Sequence, residues 1–351
     1  MKVVHLKYKS FTFPLAQKFI NSSQSFLKKE IIILRAEDEN GNIAFGEVSP
    51  LPGFSKENIS DCIKRLEQFS INTIKNFNDA EQLNIELSVF DDIPSLKFGL
   101  EQVVIGLMFQ NKLNYFDDAK FRKSIKVNGS IGFVSLAETE SKINELLKNE
   151  ISTIKLKVGR NNFDDDLAIL EMIKLKFGEN VKLRLDVNGA WSYKEAKENL
   201  AKLEKYNLQY VEQPVNDKSE LIKLAEKSEV KIAPDESIKT IVDAKDFINS
   251  GLVDFLILKP TIRLGIFDTQ KVINVANEYN IIPIITTSFE TAIGRSMLIS
   301  LAGMTNHNYS HGLGIDVLGD SFVDNSLKSS YGEVKLNTNF LKFNYDDLWK
   351  G

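Results

Sequence analysis

Apolar and polar positions alternate along this chain with two different periods, one after the other. Residues 2–13 and 43–48 alternate with period two, and residues 30–36 hold the apolar run Ile31-Ile32-Ile33-Leu34. Period two and β-branched content predict strands. Asn40-Gly41, between the last two of these, is a strong hairpin signal. Residues 14–26 are polar and Ser-rich around Ser22-Ser23. They read as a long loop between the first two strands, of a length that often serves function. Beyond Pro50-Leu51-Pro52-Gly53 the spacing becomes helical. One helix is expected over 55–69, with Ser55 as N-cap and Asn58, Asp61 and Lys64 on its wet face. Another is expected over 94–109, with Phe98, Leu100, Val103, Val104 and Leu107 on its apolar face. A meander followed by helices is an α+β unit.

From about residue 124 short apolar strands alternate with helices. Strands are expected at 125–129, 152–158, 181–187, 209–212, 231–234, 255–259 and 281–285, with a short last one at 309–313. Helices are expected at 136–147, 163–177, 192–206, 218–227, 243–249, 265–279 and 294–304. The boundaries carry chemistry of their own. Asn162 is an N-cap, Ser192 and Glu195 form a capping box, and Gly178 and Gly251 end helices. Repeated β-then-α units imply parallel strands. Seven or eight units in some 200 residues favour a closed (β/α) barrel, TIM-like in plan, over an open doubly wound sheet. Neither GxGxxG nor GxxxxGK[ST] occurs to mark a phosphate-binding open sheet. Residues 332–349 read as a strand with a polar end that folds back on the first unit.

Charge and composition narrow the classes. The net charge of −4 and the lack of a Lys/Arg run argue against a nucleic-acid partner. No apolar run is long enough to span a bilayer, and Met1-Lys2-Val3-Val4-His5 lacks the features of a secretory signal. The single cysteine, Cys62, excludes an internal disulfide and reads as a core residue. A cytoplasmic location is expected.

Candidate chemistry sits at the strand ends. In a (β/α) barrel the C-terminal ends of the strands form the reactive mouth. Those ends carry Lys155 and Lys157, then Asp186, Glu212, Asp235 and Lys259, successive members from Lys157 onward lying 23 to 29 residues apart. Lys155 and Lys157 share one strand face. Taken singly each has a plain reading. The two lysines suit a wet edge strand, Asp186 and Asn188 a turn, Glu212 a salt bridge, Asp235 an N-cap, and Lys259 before Pro260 a solvated end. Their recurrence at successive strand ends argues for one site. Three carboxylates in a dry mouth repel, and a hard cation such as Mg²⁺ removes that repulsion. Flanking lysines exchange protons with a bound substrate once burial and a nearby cation lower their pKa. The set suits proton abstraction beside a carboxylate, with the resulting negative charge stabilised by the metal.

At these residues the sequence resembles the enolase superfamily and its muconate-lactonizing subgroup. The Lys-x-Lys pair, Asp186-Val187-Asn188, Glu212-Gln213-Pro214, Asp235-Glu236-Ser237 and Lys259-Pro260 carry the likeness. The resemblance implies a (β/α)7β barrel over residues 119–324 and an α+β capping domain over 1–118, to which 325–351 returns. It implies Asp186, Glu212 and Asp235 as ligands of Mg²⁺, with Mn²⁺ as a substitute, and Asn188, Gln213 and Glu236 in support. Lys157 would be the base, Lys259 the opposing lysine, and Lys155 a neighbour that tunes Lys157. Within the subgroup the chain is similar to o-succinylbenzoate synthases, through residues 286–294, Val127-Asn128-Gly129, Phe98-Gly99-Leu100-Glu101 and His311-Gly312-Leu313-Gly314. That likeness implies dehydration of 2-succinyl-6-hydroxy-2,4-cyclohexadiene-1-carboxylate in menaquinone biosynthesis. Lys157 would take the α-proton, and Thr287, Ser288, Glu290 and Gly312 would hold the substrate. The capping loop 14–26 and the turn 46–54 would close the site. Dipeptide epimerases and N-acylamino acid racemases share the scaffold. The epimerases' Asp-x-Asp pair is broken here at Asp316-Val317-Leu318, with Asp320 close by. A non-catalytic binding barrel is the remote alternative. The partner is a small carboxylate, and the sequence leaves oligomeric state open.

Overall fold

The computed structural model describes residues 2–20, 25–69, 80–113, 122–314 and 329–335. The N-terminal sheet is antiparallel in the order β1 (Val3–Ile20), β2 (Ser25–Asp38), β3 (Ile43–Val48). The Asn40-Gly41 turn forms as expected. The Asp38 carboxylate accepts from the backbone N–H of Asn40 and of Asn42, each at 2.9 Å, and Gly41 takes a φ of 78°. The expected loop over 14–26 is strand where it is described, at 14–20 and 25–26, and residues 21–24 lie outside the described residues. β1 continues to Ile20 and pairs Phe19 with Phe26, after a register shift between Pro14 and Phe19. β1 is an edge strand, so Pro14 lacks an N–H where none is needed.

Three helices follow: α1 (Ile59–Gln68), α2 (Ala80–Leu87) and α3 (Pro94–Gln110). The N-cap of α1 is Asn58, not Ser55. Asn58 and Asp61 bond reciprocally in a capping box, while Ser55 Oγ accepts from Leu51 N at 2.8 Å and ties the preceding turn. The sequence pattern does not announce α2, which is eight residues long and only weakly amphipathic. Pro94–Met108 of α3 is buried on all sides, because the helix lies between the sheet and the second domain. Its approach to β3 requires two glycines: a Cβ on Gly46 would run into the Gly99 carbonyl oxygen.

The second domain is a parallel barrel. Its strands are β4 (Ser124–Lys126), β5 (Gly129–Ile131), β6 (Thr153–Lys157), β7 (Lys182–Asp186), β8 (Leu208–Glu212), β9 (Ile232–Ala233), β10 (Phe255–Leu258) and β11 (Ile282–Ile285). The helices between and after them are α4 (Leu136–Lys148), α5 (Phe163–Phe177), α6 (Tyr193–Leu203), α7 (Lys218–Lys227), α8 (Ile241–Ser250), α9 (Gly265–Glu278) and α10 (Ala292–Gly303). Caps at Asn162, Ser192 and Gly251 fall where the sequence put them. β5 to β9 form one parallel sheet, and β10 pairs with β11. Ile257 N donates to Pro234 O at 2.9 Å and joins the two. The ring closes through residues 309–313. Gly312 bridges Thr286 and His311 bridges Val127, both in parallel sense. The strand expected at 125–129 is two, divided at Val127-Asn128. β5 pairs with β6, whereas β4 pairs antiparallel with β12 (Glu333–Lys335). The rest of the tail lies outside the described residues. Tyr210, Ala233, Phe255, Ile257 and Ile284 pack inside the barrel.

Two carboxylates of the first domain terminate helices of the second. Glu47 on β3 accepts from Thr291 N at 3.0 Å and from Gly294 N at 2.8 Å, at the start of α10. Glu101 on α3 accepts from Ile266 N at the start of α9, whose own N-cap, Leu264, offers no side-chain acceptor. Both places suit an oxygen acceptor, because the first turn of a helix presents unpaired N–H groups. Among the described residues no helix is long and apolar enough to cross a membrane.

Candidate active site at the C-terminal mouth of the barrel

Strand alternation turns Lys155 and Lys157 of β6, Asp186 of β7 and Glu212 of β8 to one interior. Register places Lys157 opposite Asp186, and Asp186 opposite Glu212. Asp235 follows β9 and Lys259 follows β10, so all six stand at one mouth. Glu212, Asp235 and Asp186 are all buried. Lys155 Nζ lies 2.7 Å from Glu212 Oε1 and 3.0 Å from Asp186 Oδ2. Lys157 Nζ lies 4.0 Å from Asp186 Oδ2, and Lys259 pairs directly with Asp235. Glu212 is salt-bridged and Asp186 with Asn188 forms a turn, as their plain readings had it, but two others do not hold. Lys155 is not wet, and the N-cap of α8 is Thr240 rather than Asp235.

The charges set each other's state. Burial pushes the Glu212 carboxyl well up, Asp186 and Asp235 add to the rise, and Lys155 opposes it. Burial alone would lower the Lys155 ammonium, but Asp186 and Glu212 outweigh it and hold the pKa well above the ordinary value. The same contest, won by Asp235 and Glu236, raises Lys259. Asp235 is held below its ordinary value: burial opposes, but Lys259 and Lys155 prevail. The lysine side chains differ in access, at 19% exposed for Lys155 and 29% for Lys157. Lys155 is enclosed by carboxylates, while Lys157 stands nearer the open mouth.

Supporting contacts fix the carboxylates. Asn188, with a φ of 50°, donates its N–H to Asp186 Oδ1 at 3.2 Å and its amide to Glu236 Oε1 at 2.8 Å. Gln213, with a φ of 40°, is wholly buried. Its Oε1 accepts from Asp235 N at 2.9 Å and its Nε2 donates to Ser237 Oγ at 2.6 Å. As the side chains lie, no group of three or more His, Cys, Asp or Glu among the described residues stands at metal-holding spacing. The lysine ammoniums supply the neutralising charge instead. The donor set still fits a hard cation: three carboxylates at adjacent strand ends, with the buried Glu212 Oε2 lacking a hydrogen-bond partner.

The residues expected to hold substrate bond to one another and to the barrel. Ser288 N donates to Glu290, with both carboxylate oxygens at 2.9 Å, and Thr287 Oγ1 donates to Glu290 Oε2 at 2.6 Å. Glu290 therefore shapes its own loop. Gly312 N donates to Ile285 O at 2.9 Å, closing the barrel. The N–H groups of Ser288 and Gly312 are thus already engaged, because a tight turn and a parallel bridge each consume one. His311 is structural as well. It accepts from Ile285 N at 3.0 Å, and burial holds its pKa far below the usual value, so it is neutral. Asp316 and Asp320 lie outside the described residues.

Sequence reasoning missed Lys29 and Glu47. Lys29 is buried, donates to Ser288 O at 2.8 Å, and faces Glu290 and Glu47. Burial lowers it to about 8 against the pull of those two carboxylates. A charged residue inside the otherwise buried β3 run was the available signal for Glu47. The 46–54 turn does reach the mouth: Leu51 and Phe54 pack with Ile262 and Phe289, and the Lys259 ammonium lies 5.8 Å from the Phe54 ring.

The chain is thus a capped (β/α) barrel with lysines on both sides of a buried carboxylate cluster at its C-terminal mouth. The family description "Enolase C-terminal domain-like" matches residues 138–339, and "MenC, N-terminal domain" matches residues 2–106. The chain belongs to the enolase superfamily, in its mandelate racemase and muconate-lactonizing subgroup. Its curated relatives include L-Ala-D/L-Glu epimerases, o-succinylbenzoate synthases and a chloromuconate cycloisomerase. One is the o-succinylbenzoate synthase of Desulfotalea psychrophila, 28% identical over 69% of this chain and 68% of that protein. Among solved structures, a substrate-liganded L-Ala-D/L-Glu epimerase from Bacillus subtilis superposes with a TM-score of 0.87 at 20% identity, covering 96% of this chain and 97% of that one. An o-succinylbenzoate synthase from Thermosynechococcus elongatus BP-1, complexed with Mg in its active site, gives 0.72 at 21% identity, covering 93% and 97%.

Proposed function

We propose that the chain is a Mg²⁺-dependent enzyme that removes the proton α to a substrate carboxylate, and that it acts as an o-succinylbenzoate synthase. The observation that carries the reaction class is the placing of Lys157 and Lys259 at one mouth around Asp186, Glu212 and Asp235. The match of residues 2–106 to the MenC N-terminal family supports the particular reaction. Asp186, Glu212 and Asp235 would hold the cation, with Mn²⁺ as a substitute, and Asn188, Gln213 and Glu236 would keep their carboxylates oriented. When bound, the cation supplies positive charge for the substrate carboxylate and for the charge that develops on it. Lys157 Nζ, as the free amine, takes the ring proton beside the carboxylate. The carbon–oxygen bond to the ring hydroxyl then breaks, and the hydroxide leaves with the proton that Lys157 held. Water and the aromatic 2-succinylbenzoate result, with no change of oxidation state. Lys259 stabilises the anionic intermediate from the opposite side. Phe54 and Leu51 of the capping turn exclude water.

Dipeptide epimerisation is the second reading, favoured by the 0.87 superposition on the Bacillus epimerase. There Lys157 and Lys259 would exchange protons on opposite faces of one carbon. A single experiment separates the two. The protein is incubated with Mg²⁺ and the cyclohexadiene substrate, and aromatisation is followed by ultraviolet absorbance. A parallel sample with L-Ala-L-Glu in deuterium oxide is followed for exchange at the α-carbon. Aromatisation lost in Lys157→Ala supports the first reading. No aromatisation, together with exchange on the dipeptide, overturns it.

A further inference from the structure

The described barrel has a second opening, at the N-terminal ends of its strands. A cavity of about 470 Å³ lies there, lined by the first residues of β6, β7, β8 and β10 and by residues flanking them. That size suits a small organic molecule. Its chemistry is cationic. Lys126, Lys182 and Lys231 reach it from three separate strand ends. Lys231 is held by Asp254 at 3.0 Å, whereas Lys126 and Lys182 have no ion-pair partner among the described residues. The acidic residue on the wall, Glu179, accepts from Asn207 Nδ2 at 3.0 Å.

Behind the inner wall sits Arg184, fully buried. Its Nε donates to Gln209 Oε1 at 2.8 Å, and its Nη1 donates to Ser310 O at 2.7 Å and to Asn128 Oδ1 at 3.0 Å. Gln209 and Ser310 both line the cavity. Arg184 has no carboxylate within ion-pair distance among the described residues, and its Nη2 has no hydrogen-bond partner. A buried cation without an anion is costly, and cavity walls of one sign concentrate ions of the other. The remaining wall is part apolar: Phe255 and Tyr309 meet edge to face at 5.2 Å.

We propose that this N-terminal mouth binds a small organic dianion with a flat apolar body, at the end of the barrel opposite the candidate active site. Lys126 and Lys182 would take its charges and Tyr309, backed by the buried Phe255, its ring, while Arg184 adds positive field from behind. Such a ligand would occupy the protein together with substrate.

Phthalate is the probe, titrated calorimetrically into the full chain, with inorganic phosphate as the comparison that lacks a ring. Saturable phthalate binding is expected, tighter than that of phosphate and weakened by salt. In Lys126→Gln/Lys182→Gln, whose positions are exposed and leave the core intact, affinity should fall about tenfold or more. Acetylation of Lys126 and Lys182, read by mass spectrometry on the unmodified sequence, should be slowed by phthalate. No saturable binding below about 10 mM overturns the proposal. Undiminished binding in the double variant also overturns it, because the dianion is then held without Lys126 and Lys182.

Discussion

Glu47→Ala tests whether the first domain holds the loop that frames the candidate site. The Glu47 carboxylate accepts from Thr291 N, from Thr291 Oγ1 at 2.6 Å and from Gly294 N. It also faces the Lys29 ammonium. Truncation leaves two backbone donors and a hydroxyl buried without an acceptor, and removes one of the two carboxylates that compensate Lys29. A hydrogen bond to a charged group contributes about 1.5–3 kcal/mol, and breaking a buried charge pair costs about 3–5 kcal/mol. These overlap, because the same carboxylate does both, so we expect a loss of about 3 kcal/mol. Unfolding entropy of about 2.1 cal/mol/K per residue gives ~0.7 kcal/mol/K for a chain of 351 residues. The midpoint should therefore fall by ~4 °C in differential scanning calorimetry. Glu47→Gln should recover little of this, because its amide brings two more donors to a place where three already converge. A fall of less than ~1 °C in Glu47→Ala would refute the reasoning, since the donors would then have found other acceptors at no cost.

Three further outcomes follow from the geometry. Burial raises Glu101 to about 8 from 4.5, so the folded chain holds a proton there that the unfolded chain releases. Stability from this group is complete below pH 4.5 and is lost as pH rises through 8, with a slope of at most ~1.4 kcal/mol per pH unit. Urea titrations of the natural chain minus Glu101→Gln should show that decline, and a flat difference would exclude it. Gly46→Ala should destabilise by about 1–3 kcal/mol or leave the chain insoluble, because β3 must move off α3; an unchanged midpoint would show that the contact yields freely. Asp235→Asn should weaken Mg²⁺ binding in calorimetry at least tenfold, roughly the effect of losing one charged ligand, and equal affinity would remove Asp235 from the ligand set.

Much of the barrel was legible because its signals are local. Helix caps at Asn162, Ser192 and Gly251 depend on a few adjacent residues, and the spacing of Asp186, Glu212, Asp235 and Lys259 follows from the length of one strand-and-helix unit. The continuation of β1 through Pro14 was not legible. Pairing of Phe19 with Phe26 depends on a partner strand, and serines with a proline look like loop whatever faces them. α2 was missed because its burial comes from tertiary packing rather than from its own weak periodicity.

The sequence by itself determined that Lys155 and Lys157 share one strand face, since alternation along a strand is a property of the backbone. The spacing of Asp186, Glu212, Asp235 and Lys259 argued for one mouth, and register and burial then placed them there. Tertiary structure alone decided how their charges pair. Lys155 is enclosed between Asp186 and Glu212, Lys259 is joined to Asp235, and Lys157 is left nearer the opening. It also decided that Ser288 and Gly312 use their N–H groups internally, and that Lys29 and Glu47 hold the loop after β11 from another domain. Coulomb energies and hydrogen bonds depend on distance through space, and residues 244 positions apart in the chain, such as Glu47 and Thr291, carry no local mark of their contact.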